Sequence, residues 1–178
     1  MALVLTFASQ HIFSQDKENQ NPYAGRPFKE RLFIGGDLGL NFGTITYIRI
    51  APLLGYHVSH KFSVGAGPSY QFYNDKRFTG YKTSIYGGSV FARYFVLEQI
   101  FLQTDFEVLN LEELNYDPFS DHFRSRVTIP IWLVGAGFIQ RTPSGSGFFI
   151  GAFYDLIGDL NSPYPSDIIL RVGGVISF

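Results

Sequence analysis

From Arg31 onward the chain alternates apolar and polar residues with a period of two, in segments of about ten or more residues separated by turn residues. The segments lie at about 31–41, 45–58, 62–73, 83–96, 100–110, 124–140, 147–156 and 167–178, which predicts eight strands. Each is long enough to cross a bilayer when tilted by about 45°. The connections sort by parity: at one end 59–61, 97–99 and 142–146 are all short, while at the other 41–44 is tight and 74–82, 111–123 and 157–166 are long. A soluble sandwich has no reason to gather its long loops at one end, whereas a membrane barrel does.

The faces of the strands sort as well. One parity carries Leu32, Ile34, Leu38 and Leu40, then Ile50, Leu54, Val90, Leu102, Phe106, Val127, Ile129, Ile131, Leu133 and Ile150. The other carries Asp37, Arg49, Arg93, Asp105, Glu107, Arg126, Asp155 and Arg171. Alternation alone does not say which face is inside. The aromatics decide it. On the apolar face Tyr56, Phe62, Tyr94, Phe148 and Phe178 fall at one end of their strands, and Tyr70, Tyr86 and Tyr154 near the other. Rings at two heights match the interfacial girdles of a membrane barrel, where one end of a Tyr is apolar and the other wet. A soluble core would hold its large aromatics in the middle. The expected fold is all-β, an eight-stranded antiparallel up-and-down transmembrane β-barrel over residues 31–178. The last strand ends on Phe178, which is expected to close the seam and to act as the insertion signal.

Composition agrees with strands and turns, since Phe 19, Tyr 11 and Gly 19 are abundant. The net charge of −1 offers no basic field for nucleic acid. Cys is absent, which excludes disulfides, thiolate metal sites and a lipidated Cys anchor. No run approaches the roughly 18 apolar residues of a membrane helix. Residues 1–15 read as a signal-peptide remnant lacking a positive start, and 16–30 as a polar N-terminal segment without a pattern of its own.

An eight-stranded barrel has an interior just wide enough for side chains to fill. Asp37, Asp105, Glu107 and Asp155 are expected to pair there with Arg49, Arg93, Arg126 and Arg171, because buried charge persists only when paired and hydrogen-bonded. Gly35, Gly39, Gly65, Gly67, Gly87 and Gly173 are expected to leave room for the Arg stems. The resulting core is a polar plug; the competing reading is a narrow ion path. Pro52, Pro68 and Pro130 fall inside predicted strands and are expected to mark bulges, with Pro130 the place for a register error.

No constellation of catalytic, cofactor-binding or metal-ligating residues is present. His57-Val58-Ser59-His60 places a Ser between two His, but a polar turn accounts for it. Gly65-Ala66-Gly67 and Gly135-Ala136-Gly137 lie in strands with no following helix, so no phosphate cradle results. Glu112, Glu113, Asp117 and Asp121 match no calcium-loop spacing.

The segments Ile50-Ala51-Pro52-Leu53-Leu54-Gly55-Tyr56, Phe62-Ser63-Val64-Gly65-Ala66-Gly67-Pro68-Ser69-Tyr70 and Ile85-Tyr86-Gly87-Gly88-Ser89-Val90-Phe91-Ala92-Arg93-Tyr94 resemble the small outer-membrane barrels of Bacteroidetes-type bacteria, the OmpX, OmpA-barrel and PorT-like group. The likeness spans about 31–178. It implies the bacterial outer membrane, contact with its lipid, and passage through the barrel-assembly machinery, with no catalytic residues to transfer. The expected function is a non-enzymatic envelope component, or an accessory subunit presenting extracellular loops to a protein partner. Tyr81, Tyr116, Phe119, Phe123 and Tyr164 supply an aromatic loop surface for such a partner. A narrow small-solute channel and a lipid-modifying enzyme are the alternatives.

Overall fold

Eight strands of nine to sixteen residues pair in sequence order and close on themselves in the computed structural model, which describes residues 25, 27–41, 44–76, 81–112, 126–164 and 168–177. They are β1 (Leu32–Asn41), β2 (Ile45–His57), β3 (Phe62–Asp75), β4 (Tyr81–Phe95), β5 (Ile100–Glu112), β6 (Arg126–Arg141), β7 (Gly147–Asp155) and β8 (Ile168–Ser177). Every pairing is antiparallel, and β8 returns to β1 through Phe33↔Ser177 to Leu38↔Val172. Closure removes the free edge that makes an open sheet prone to aggregation. The short connections 58–61, 96–99 and 142–146 gather at one end, and 76–80, 113–125 and 156–167 at the other. The signal-peptide reading of 1–15 and the seam and insertion roles of Phe178 lie outside the described residues. Within 16–30, one 3-10 turn forms at Phe28–Arg31, where Phe28 stacks on Tyr56 at 5.0 Å between ring centroids.

The wall is apolar outside. Val90, Leu102, Phe148, Ile150, Leu170 and Ile176 are all half or more exposed. The interior is filled with side chains from alternate positions, apolar at Ile85, Leu109, Leu111, Ile131 and Leu133, and charged where Asp37, Arg49, Arg93, Asp105, Glu107 and Arg171 enter it from β1, β2, β4, β5 and β8.

The sixth strand corrects the expected assignment of faces. Ile129, Ile131 and Leu133 are buried and Val127 half-buried in the lumen, while Arg126, Thr128, Pro130 and Trp132 face outward. The inward parity of this segment is wholly apolar, while its outward parity carries Arg126 and Thr128, the reverse of the contrast in the other strands. The rungs Val108↔Pro130 and Glu107↔Ile131 fix its side.

The prolines cause no bulge. Ile50 pairs with Tyr70 and Leu54 with Ala66, so equal numbers of residues separate those rungs and Pro52 falls opposite Pro68. A bulge needs an extra residue on one strand. Here two residues lacking an N–H meet at a single break in the ladder, which confines the loss. Pro130 keeps the same register with β5 as its neighbours. It lies beyond the end of β7, whose pairing with β6 starts at Leu133↔Asp155, so no β7 residue stands beside it.

The inward glycines serve rings more than Arg stems. Phe33 stands opposite Gly55, Phe91 opposite Gly65, Phe101 opposite Gly137, Phe153 opposite Gly135 and Phe149 opposite Gly173. A Cβ on any of these glycines would overlap the facing ring. Each ring therefore lies flat across its glycine, the cross-strand arrangement by which aromatics cover glycines in sheets.

Candidate functional site

The charged lumen residues form one chain across the barrel. Arg49, from β2, is bonded to Asp37 of β1 and to Glu107 of β5, its Nη2 donating to Oε1 at 2.6 Å. The same Oε1 accepts from Arg171 Nη2 of β8 at 2.9 Å. Arg171 also faces Asp105, with Nη1 to Oδ2 at 3.6 Å. Gln103 Nε2 donates to both Asp105 oxygens at 2.9 and 3.0 Å, and its own Oε1 accepts from Arg93 Nε at 2.6 Å. Alternation puts all of these side chains inside. The register puts Asp37 near Arg49 and Arg93 opposite Gln103.

Glu107 is completely buried, and Arg49 and Arg171 are only 1% and 3% exposed. Such ions persist in a low-dielectric interior only when paired, and here each carboxylate oxygen of Glu107 has a donor. Oε2 accepts from Tyr164 Oη at 2.7 Å, and the phenol accepts in turn from Arg171 Nη2 at 2.8 Å. Tyr164 belongs to the β7–β8 connection, so that loop dips into the barrel and covers the network. This corrects its expected place on the outer loop surface. No periodicity marks a residue in a loop as inward. Tyr164→Phe is expected to lower stability by about 1.5 kcal/mol, because a charged acceptor and a cation each lose a partner. Urea unfolding measures it, and an unchanged midpoint would mean that the loop does not close the lumen.

Toward the short-turn end the lumen turns aromatic. The Arg93 guanidinium lies 4.3 Å from the Phe101 ring centroid and 4.7 Å from that of Phe149, and Arg141 stands 4.2 Å from Phe95. These rings replace solvent around the cations through their negative faces.

Two of the eight expected network residues lie elsewhere. Arg126 is on the outer wall, where its Nε donates to Asn110 Oδ1 at 2.6 Å. Asp155 points inward at the rim but serves its own loop, accepting from the Ile157 N–H at 3.0 Å and from Ser162 Oγ at 3.5 Å. The girdle residues Tyr70, Tyr86, Tyr94, Phe148 and Tyr154 are exposed on the outside, and Tyr56 and Phe62 are half-buried. Tyr116, Phe119 and Phe123 lie outside the described residues. No group of three or more His, Asp or Glu capable of holding a metal occurs among the described residues.

No family model matches the chain, and no curated protein sequence matches it. Among solved structures it is similar to the crystal structure of the N-terminal β-barrel domain of Pseudomonas aeruginosa OprF, at 12% identity and a TM-score of 0.51, over 83% of this chain and 96% of that one. At that identity the likeness concerns architecture. The chain has the fold of an eight-stranded, closed, antiparallel up-and-down barrel.

Proposed function

We propose that the protein is an integral β-barrel of a bacterial outer membrane, without catalytic machinery, whose lumen is plugged by its own side chains. It acts as an envelope component or as an accessory subunit whose long-loop end meets a protein partner. The observation that carries this reading is the combination of an apolar exterior with a sealed, charged interior. A soluble barrel would place these the other way round.

The few polar groups on the outer wall fit the same reading, because lipid offers them no partners. Trp132 Nε1 donates to Thr104 Oγ1 at 2.8 Å, and that hydroxyl donates to the Leu133 carbonyl at 3.2 Å. Both donors are thus satisfied within the wall. The resemblance to the OmpX, OmpA-barrel and PorT-like group adds to the proposal, as does the architecture shared with the OprF domain.

A narrow solute path is the second reading. One observation favours it: Tyr47 Oη, Ser69 Oγ, Thr83 Oγ1 and both amide atoms of Gln71 are buried on the β2–β4 wall without a hydrogen-bond partner among the described residues. Such a strip is where a permeating solute would find contacts. Planar-bilayer recording separates the readings. The refolded protein is expected to give no stepwise conductance, and discrete steps would overturn the plug. Fractionation tests the location: the protein should stay with the membrane after an alkaline carbonate wash and migrate faster on gels when unboiled. Release into the wash, or a single band, would overturn the membrane assignment.

A further inference from the structure

We propose that the outer wall of β4–β6 carries a binding site for the phosphate of a lipid headgroup, built on Arg126; it rests on the membrane reading above. Arg126 stands outside the barrel at the long-loop end, on the same face as the apolar belt. An arginine on a lipid-facing wall is tolerated near the interface and strongly disfavoured at mid-bilayer. Its height is marked by Tyr86, whose ring lies 5.5 Å beneath the guanidinium.

The side chain is held rather than free. Nε donates to Asn110 Oδ1 at 2.6 Å, and Nη2 donates to the backbone carbonyls of Asn110 at 2.9 Å and Ser84 at 3.1 Å. Asn110 is itself fixed, its Nδ2 donating to Thr128 Oγ1 at 3.0 Å. These bonds use three of the five guanidinium donors and leave the two on Nη1. Among the described residues their charged neighbour is Glu112, at 3.8 Å, too far for a hydrogen bond.

A half-exposed pair at that distance contributes little and is readily exchanged. The oriented fork of Arg126 matches the tetrahedral oxygens of a phosphate. Below it the wall is the apolar surface of Val108, Phe106 and Trp132, which accommodates acyl chains rather than a soluble ion's water. The occupant is therefore a lipid phosphate, not free phosphate.

Native mass spectrometry of the detergent-purified full chain tests this, with phosphatidic acid, phosphatidylcholine and inorganic phosphate as the three probes. Phosphatidic acid should be retained in preference to the other two, and Arg126→Gln should weaken its retention by roughly three- to tenfold. Arg126→Lys should fall between, since a point charge lacks the fork. Lys61→Gln, at the opposite rim, should change nothing.

Equal retention by wild type and Arg126→Gln would overturn the site. Equal retention of inorganic phosphate would overturn the lipid as its source. Unboiled gel migration reports folding in every sample, and if Arg126→Gln does not fold, Asn110→Ala replaces it, with an expected loss of about threefold from freeing the guanidinium. Refolding into phosphatidylcholine vesicles separates the two proposals. Insertion without phosphatidic acid discrimination would refute the phosphate site alone, and failure to insert would refute both.

Discussion

Glu107→Ala should lower the free energy of unfolding by about 3–5 kcal/mol, the usual cost of removing one partner from a buried ion pair. The reason is local. Glu107 is the anion between Arg49 and Arg171, bonded to both through Oε1 and to the Tyr164 phenol through Oε2. Without it two almost fully buried guanidinium groups face one another across the lumen, with Asp37 and Asp105 each engaged on the far side. The expected consequence is a loosened lumen as well as a less stable barrel. Urea unfolding in vesicles measures the loss of stability, using the fluorescence of Trp132, the one tryptophan of the chain. Bilayer conductance measures the loosened lumen, and steps absent from the wild type should appear.

A variant with Asp37→Asn, Arg49→Met, Asp105→Asn, Glu107→Leu and Arg171→Met separates charge from packing, because Arg49 and Arg171 cannot be removed without also neutralising Asp37 and Asp105. Apolar replacement of a whole buried ion cluster is often neutral or stabilising. Recovery of stability in that variant, against its loss in Glu107→Ala, identifies the uncompensated charge as the cause. A loss under about 1 kcal/mol in the single variant would mean that the network does not hold the lumen closed.

How far the sequence foretold the barrel differs from strand to strand. Where the two faces contrast, as in Asp105-Phe106-Glu107-Val108 on β5, alternation assigns inside and outside correctly. It misleads at Arg126-Val127-Thr128-Ile129-Pro130-Ile131-Trp132-Leu133. There the inward parity is wholly apolar and the outward one begins with the polar Arg126 and Thr128, so the contrast points the wrong way. Only register with β5 resolves the face, and register is a property of two strands together.

The pairing of inward rings with inward glycines was hidden for the same reason. Phe101 and Gly137 are distant in sequence and meet only as a rung of the ladder. The ion network was legible where alternation placed a charge within the lumen, as for Arg49, Glu107 and Arg171. It was not legible at Tyr164, which reaches Glu107 through loop conformation rather than strand parity.

Val90→Arg is the substitution whose outcome depends most directly on the solvent outside the barrel. Val90 is 55% exposed and lies midway along β4 between Tyr86 and Tyr94, the outward rings that mark the two heights of the belt. In water an exposed Val→Arg change would fall within about 0.5 kcal/mol of neutral. At the middle of a bilayer it should destabilise by about 2–4 kcal/mol, since the guanidinium must carry water into hydrocarbon or drag its stem toward the headgroups. Arg126 provides the internal comparison, the same residue type on the same face but near the proposed interface, where the penalty would be only about 0–1 kcal/mol. The expected result is a lower urea midpoint in vesicles and a smaller fraction of the fast-migrating folded form. A variant as stable as the wild type would show that this face does not meet lipid, whatever the resemblance of the fold.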